Sequence, residues 1–544
     1  MTGQTKTWRS VNAVYQIYPR SFQDSSGDGI GDLRGVIDRL PYLAGDTDSL
    51  GVDAVWFSPF FPSPMADFGY DVSDYCDIDS LFGTLDDFKE LLSAAHARGL
   101  KVMIDFVPNH SSNQHPWFLE SKSARTSSKR DYYVWRDPKP DGSPPNNWLS
   151  IFGGSAWQWD HTTRQYYLHT FLKEQPDLNW DNPAVRREMQ HVLHWWFQMG
   201  VDGIRADAVR WISKDEHYRD DPLNQGFTPG PQADEYGSLL HVHSRFGPHL
   251  FTYLRELTDV AAQYKDRIIL FEDYPDAVFT TRDQYLGFYG VNPRVGMPFN
   301  FEGIGRPFTA ESYRTFVETY QGFLNPKLHV PVYCFGNHDQ HRLVSRVGER
   351  QARLVAIMQM TLPGLPVLYY GDELGMKNGL IPEGQEQDPL NRIKPGLAQG
   401  RDPERTPMQW DSSRTAGFTR STHPWLPIAQ GAEKLNVAVE RQQPDSYWTL
   451  YRWLLRFRSE SDSMATGTYQ TLQTDDDAHL YAYTRTLRDK TVLTILNFSS
   501  RRRKYTLPSA GRVLMASNPT KLPRLTRRHV LKLRPYEAAI IELG

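Results

Sequence analysis

Residues 101–110 read KVMIDFVPNH, and this stretch decides the fold. A short apolar, β-prone run carries one aspartate, Asp105, near its end and then stops at Pro108 and His110. Ahead of it, LDDFKELLSAAHARGL (85–100) has the apolar spacing of an amphipathic helix, as does NPAVRREMQHVLHWWFQMG (182–200) further on. Runs of the same kind recur at AVYQIYP (13–19), DAVWFSP (53–59), DGIRADAV (202–209), RIILFEDY (267–274), RVGMPFNF (294–301), PVYCFGNHD (331–339) and LPVLYYGDE (365–373). Strand and helix alternating eight times predict an α/β chain folded as a (β/α)8 TIM barrel, a parallel barrel inside a ring of helices.

Two segments break the alternation. Residues 110–178 are rich in Pro, Gly, Ser, Asn and Trp, with DPKPDGSPPNNW at 137–148; a loop this long inside a domain is expected to be an inserted subdomain after strand 3. From 465 onward the strands shorten and alternate (HLYAYTRT, TVLTILNFS, RVLMAS, AAIIEL), which predicts a C-terminal antiparallel β-sandwich domain. The expected division is a barrel of 1–109 and 179–464, a subdomain of 110–178 and a terminal domain of 465–544.

Composition excludes several classes. The chain has 544 residues, 39% hydrophobic and 13% aromatic, and a formal net charge of −3. That is enough apolar material for more than one core. No run of eighteen apolar residues would span a membrane, and the N-terminus lacks the apolar core and cleavage site of a secretory signal. RRRK at 501–504 is the densest basic run and reads as a solvated strand end, so no nucleic acid partner is expected. Cys76 and Cys334 are too few for a disulfide framework and fit a cytoplasmic protein. NFS at 497–499 reads as strand, not as a glycosylation site.

In a barrel of this kind, function sits where strands run into loops. Asp105 and His110 close the third run, Arg205 and Asp207 the fourth, Glu272 the fifth, and His338 and Asp339 the seventh. A single aspartate at such a place is more often a helix cap; four polar groups converging on one barrel mouth point to a site. Arg205 and Asp207, two apart, share a strand face.

These residues carry a resemblance. DFVPNH, GIRADAV, FEDY and FGNHD, in this order, resemble the four signature regions of the α-amylase family of glycoside hydrolases, and QPDLNW (175–180) resembles the auxiliary region near the end of its inserted domain. QIYPRSF (16–22), QDSSGDGIGDL (23–33), FGYDVSDY (68–75) and RTPMQWD (405–411) are similar to the exo-acting α-glucosidase branch, which includes oligo-1,6-glucosidases, sucrose-acting glucosidases and trehalose synthases. The resemblance spans almost the whole chain. It implies a retaining mechanism with Asp207 as nucleophile, Glu272 as general acid and Asp339 as transition-state stabiliser. Arg205 is then expected to keep Asp207 ionised, and the IILF flank to give Glu272 an apolar setting suited to proton donation. His110 and His338 are expected to bind sugar hydroxyls. Phe271 before the acid and Asp273 after it depart from the usual pattern, which leaves Asp273 as an alternative acid.

The branch closes the far end of the first sugar with an Asp/Arg pair, matched here to Asp67 and Arg405, with Tyr70 under the ring and Phe152, Phe171 and Gln175 from the insertion lining the chamber. Ala208 stands where members cleaving α-1,6 bonds tend to carry Val, a lean toward α-1,4 bonds or a broad range, and VRWISKDEHYRDDP (209–222) resembles glucosidases acting on maltose- or sucrose-like substrates. In the branch, the loop matching 24–32 binds Ca²⁺ or Mg²⁺, implying Asp24, Ser26, Asp28, the Ile30 carbonyl and Asp32 as ligands of a structural clip; serine stands at 26 where asparagine is usual. No cofactor is expected for the chemistry. The expected partners are small oligosaccharide or disaccharide α-glucosides, acted on by a monomer or homodimer. Three alternatives stay open: a glucosyltransferase or isomerase of the trehalose synthase type, a sucrose- or glucosyl-metabolite-specific glucosidase, and an inactive binding subunit.

Overall fold

The computed structural model describes residues 6–230, 233–275, 281–394, 397, 399–526 and 529–544. All eight apolar runs contain strands: β1 (Val14–Ile17), β2 (Ala54–Phe57), β3 (Lys101–Phe106), β4 (Gly203–Ala206), β5 (Ile268–Phe271), β6 (Gly296–Pro298), β7 (Val332–Cys334) and β8 (Leu365–Tyr369). They pair in parallel in the order β7-β8-β1-β2-β3-β4-β5-β6, and a parallel bridge between Asn300 and Tyr333 links the two ends of the sheet. Every residue of β1 to β5 is buried, as expected of parallel strands covered on one side by helices and on the other by the barrel interior.

Local chemistry fixes the helices that cover the sheet. Leu85–Ala97 opens on a capping box: Thr84 Oγ1 accepts from the Asp87 N–H at 3.2 Å, and Asp87 Oδ2 accepts from the Thr84 N–H at 2.9 Å. Its buried face is Phe88, Leu91, Leu92 and Ala95. Pro183–Met199 starts after the Asn182 cap with proline at the first position and ends on Gly200 at φ 114°, the left-handed closure that glycine adopts without strain.

The insertion after β3 carries a three-stranded antiparallel sheet of Trp135–Arg136, Gln165–Leu168 and Trp157–Asp160. It is tied to the barrel by Asp177, whose Oδ2 lies 2.9 Å from Lys214 Nζ on the loop after β4. At the C-terminus, a five-stranded antiparallel sheet (Thr468–Leu472, Leu480–Leu487, Lys490–Asn497, Ala538–Leu543, Gly511–Ala516) faces a three-stranded one (Arg503–Thr506, Val530–Leu533, Arg524–Leu525). The period of two is plain in the larger sheet. Leu480, Ala482, Leu493 and Ile541 pack toward the smaller sheet, while Tyr481, Tyr483, Val492 and Ile540 join the barrel core.

Two buried arginines fasten that junction without a carboxylate partner. Arg458 Nη1 donates to the carbonyls of Met360 (2.9 Å) and Leu362 (2.8 Å), at the C-terminal end of the helix Glu349–Thr361. Arg485 donates to Gly467 O (3.1 Å), Thr361 O (3.1 Å) and Met464 O (2.8 Å). Burial pushes both guanidinium groups down, to about 9 and about 10. Replacing Arg485 with Met strips three buried carbonyls of their donor and is expected to destabilise the chain by about 3 kcal/mol. Thermal unfolding would register this as a lower Tm, and an unchanged Tm would contradict the role given to Arg485.

Candidate active site

The floor of the site forms where β3, β4 and β5 end. Strand register sets Asp105 directly beside Arg205, and Arg205 Nη1 donates to Asp105 Oδ1 at 2.9 Å. Asp207, two residues further on, returns to the same face, and its Oδ1 accepts from the same Nη1 at 2.6 Å. Glu272 follows β5, held by its N–H to Ala206 O at 2.9 Å, and its Oε1 lies 2.6 Å from Arg205 Nη2. One wholly buried guanidinium thus reaches three carboxylates, a task suited to its planar fork of donors. Its other surface lies 5.4 Å from the Trp56 ring centroid.

Three carboxylates outnumber one cation. Burial pushes the Asp207 carboxyl well above the ordinary range, Arg205 opposes this, and the charges of Glu272 and Asp105 add to it. Burial likewise lifts Asp105 to about 7. Asp105 and Asp207 therefore titrate as members of one interacting cluster.

Ala208, just after Asp207, adopts φ 48° and ψ 33°, left-handed geometry that costs a non-glycine residue about 1 kcal/mol. The turn aims its N–H at Glu272 Oε2, 2.8 Å away. The apolar setting expected for Glu272 is therefore not what surrounds its carboxylate. Ile268–Phe271 are buried in the strand layer, while the acid group reaches back across β4 to two donors. Its neighbour Asp273 is fully buried against Arg210 Nη2 at 2.5 Å and against Gln284, and only Glu272 of the two borders the cavity.

Asp339 enters from the loop after β7. Its Oδ1 accepts from Arg405 Nη2 at 2.8 Å and Arg401 Nη1 at 3.2 Å. Burial favours its neutral form, but its cationic neighbours, Arg401 and Arg405 among them, outweigh burial and hold this carboxyl well below the usual range. His338 beside it is driven far down by burial and is neutral. Gln16 Nε2 donates to its Nδ1 at 2.8 Å, which leaves Nε2–H for the Tyr70 hydroxyl at 2.6 Å; Tyr70 in turn donates to Asp105 Oδ2 at 3.0 Å. A hydrogen-bonded relay thus spans β1, the loops after β7 and β2, and β3.

These groups surround a cavity of about 290 Å³, lined by Asp67, Tyr70, His110, Phe152, Phe171, Asp207, Glu272 and Asp339 together with Ile151, Arg210, Trp211, Tyr274, Gln340, Leu390 and Arg401. Gln175 stands just behind the wall and donates to Asp67 Oδ2 at 3.2 Å and His110 Nε2 at 3.1 Å. Burial brings His110 down to about 4, so it too is neutral near pH 7. Phe152 and Phe171 meet edge to face at 6.4 Å.

One expected pairing is corrected. Asp67 does not pair with Arg405; its Oδ1 accepts from Arg401 Nη2 at 2.7 Å. Arg401 is gripped from behind by Asp388, whose Oδ2 accepts from Nε at 2.6 Å and from the backbone N–H at 2.8 Å. Arg405 is fully buried beneath, donating to His338 O at 2.7 Å as well as to Asp339. The turn Asp402–Arg405 separates the two arginines by one helical turn and sends only the first into the cavity. The motif read for the wall, RTPMQWD at 405–411, begins at Arg405, and Arg401 lies four residues ahead of it. Asp388, Tyr274 and Trp211 were given no role in the sequence reading: Trp211 closes a 3-10 turn after β4, Asp388 caps the helix Pro389–Ile393, and Tyr274 follows β5.

The loop of residues 24–32 is a closed hydrogen-bonded turn. Asp24 accepts from the Gly27 N–H (2.7 Å), the Gly29 N–H (2.8 Å) and the Thr419 hydroxyl. Asp32 accepts from the Ser25 N–H (2.8 Å) and caps the next helix through the Gly35 N–H (2.6 Å). Asp28 turns to the Ile30 N–H at 2.8 Å, and Ser26 Oγ donates to Asp24 at 3.1 Å. The carboxylates accept from donors of the loop and of its neighbours Gly35 and Thr419, and no three His, Cys, Asp or Glu side chains among the described residues are arranged to hold a cation. The donor set implied for Ca²⁺ or Mg²⁺ does not fit an ion in this arrangement.

The chain was compared with known proteins. Residues 16–467 match the family model described as "Alpha amylase, catalytic domain". The chain is 37% identical over 578 residues to an oligo-1,6-glucosidase of Parageobacillus thermoglucosidasius, covering 99% of each. It is 39% identical over 503 residues to an α-glucosidase of Apis mellifera, covering 90% of this chain and 84% of that one. Among solved structures, the α-glucosyl transfer enzyme XgtA superposes with a TM-score of 0.91 at 36% identity, over 99% of this chain and 100% of the other.

Two outcomes follow. Arg401→Met removes one or more charge-assisted bonds worth about 1.5–3 kcal/mol, so kcat/KM on a small α-glucoside is expected to fall about 10- to 150-fold; steady-state kinetics at unchanged values would dismiss the Asp67–Arg401 wall. Adding excess Ca²⁺ to chelator-treated protein is expected to leave Tm unchanged, whereas a saturable rise would mean that Asp24, Asp28 and Asp32 reorganise around an ion.

Proposed function

We propose that this chain, which belongs to the α-amylase family of glycoside hydrolases, is a retaining exo-acting α-glucosidase that removes glucose from the non-reducing end of short α-glucosides. The observation that carries this reading is the contact of Asp207 and Glu272 with one guanidinium at the bottom of one cavity. That bridge supports the short carboxyl separation of a double-displacement site, not the wider gap that admits a water for inversion. The pairing of Asp67, Arg401 and Asp388 blocks the far end, which supports a pocket for one terminal sugar over an open groove.

In the reactive arrangement Glu272 carries a proton as the acid and Asp207 is ionised as the nucleophile. Asp207 attacks the anomeric carbon as Glu272 gives its proton to the glycosidic oxygen; the C1–O bond breaks and a carboxylate–C1 bond forms. The aglycone leaves. Water then loses a proton to Glu272 and displaces Asp207, restoring both groups and releasing α-glucose. Asp339, kept anionic by its arginines, faces the positive charge that develops on the ring, and neutral His110 stands ready to bond sugar hydroxyls.

The low-pH side of the pH profile comes from Asp207. A proton on this carboxylate silences the nucleophile, and because burial raises Asp207, this limb lies above the ordinary carboxyl range.

A transfer reading draws support from the likeness to the α-glucosyl transfer enzyme: a sugar in place of water at the second step would pass glucose to a new acceptor. Ala208 leans the linkage toward α-1,4 or a broad range, while the relatives named oligo-1,6-glucosidases lean the other way. The free thiols of Cys76 and Cys334 support a reducing, cytoplasmic setting, and no helix among the described residues is long and apolar enough to cross a membrane.

Anomer-resolved product analysis on maltose, isomaltose, sucrose, trehalose and kojibiose tests the reading. α-Glucose is expected as the first product, with little fall in starch viscosity. β-Glucose would reject the covalent step, and a rapid viscosity loss would reject the closed pocket. New oligosaccharides from concentrated maltose would favour transfer. Asp207→Asn is expected to lower kcat by more than about 10³-fold.

A further inference from the structure

Lys394 lies outside the cavity yet touches the backing of its rim. Its Nζ donates to Ile151 O at 2.7 Å and to Asp234 Oδ1 at 2.7 Å, and its side chain is only 7% exposed. Its stem packs on Gly153, where an added Cβ would sit 3.2 Å from Lys394 Cε. Three segments meet at this ammonium: the insertion after β3 through Ile151, the long loop after β4 through Asp234, and the loop after β8 through Lys394 itself. Each supplies rim to the cavity, as Ile151 and Phe152, as Trp211, and as Leu390 and Arg401. Gln399 Nε2, 3.4 Å from Asp234 Oδ2, adds a second strand to the same tie.

The catalytic floor needs no such tie, because strand register already fixes it. The rim does, since its three segments share no sheet. We propose that Lys394 is a positioning residue that holds the rim of the pocket in one shape and thereby selects what departs from, or arrives at, the sugar's reducing side. A compact ammonium with three donors suits two acceptors from different loops, and both bonds gain from burial. The inference rests on the glucosidase reading for its kinetic consequence but not for the clasp itself.

Three variants test it: Lys394→Met, Lys394→Arg and Asp234→Asn. The first should raise KM for a disaccharide about tenfold or more and shift the ratio of transfer to hydrolysis. Its kcat on an aryl α-glucoside, whose leaving group needs little help, should change less than about twofold. Lys394→Arg, which keeps charge and donors, should recover most of the KM, and Asp234→Asn should fall between them. Hydrogen exchange of the intact chain should quicken in peptides covering 148–156 and 385–394 in Lys394→Met only. If exchange, KM and product ratio stay at wild-type values, the proposal fails. It also fails if kcat drops equally on every substrate, since Lys394 would then support the whole scaffold and not the rim. A wild-type chain inactive on all α-glucosides would overturn the functional reading alone, and the exchange result would still decide the clasp.

Discussion

The site depends on a charge imbalance held around Arg205. A guanidinium buried without partners would cost several kcal/mol, and each carboxylate buried alone would lose its charge by binding a proton. Together they form a cluster in which Asp105, Asp207 and Glu272 compete for one cation. Burial and like charge push the Asp207 and Asp105 carboxyls upward against the pull of Arg205. Stability and chemistry are thus met by the same arrangement: Arg205 makes the burial tolerable, and being only one, it leaves the cluster reactive.

Floor and wall are built by different means. Asp105, Arg205, Asp207 and Glu272 sit at or just beyond the ends of adjacent parallel strands, where backbone register sets spacing to within a fraction of an ångström. The wall comes from irregular segments, and its precision comes from buried ions instead: Asp388 behind Arg401, Lys214 on Asp177, Lys394 on Asp234. Under the proposed reading, changes in the wall would alter which glucoside enters while leaving the chemistry of the floor intact, and similar proteins carry both glucosidase and glucosyl-transfer names.

The neutral histidines extend the same logic. His110 is buried beside Asp177 and Lys214, and His338 beside Asp339 and three arginines, and burial wins over the acids in both. Each then serves as a directional donor or acceptor with no added charge to disturb the balance around Asp207. Asp339 is the reverse case: it accepts from Arg401 and Arg405, and its carboxyl is held below the usual range despite burial.

The eight apolar runs, the insertion, and the polar residues at strand ends were all legible in the chain, because strand periodicity and strand-end chemistry are local properties. So were Asp207, Glu272 and Asp339 as one group, since the barrel brings strand ends together whatever the loops do. What the chain left open was anything decided by loop paths. Arg401 and Arg405 are four residues apart and chemically alike, and only the turn between them sends one to Asp67 and the other beneath Asp339. Glu272 was read from an apolar flank, yet its carboxylate lies over β4, because the left-handed turn at Ala208 offers it an N–H. The acidic loop at 24–32 has the composition of an ion site, but its backbone N–H groups compete for the same oxygens. Sequence determined which groups would be present at the barrel mouth, because side-chain type and strand period are written residue by residue. Tertiary structure alone decided which of them touch, because a hydrogen bond between distant segments depends on how irregular chain is folded back, and no periodic pattern encodes that path.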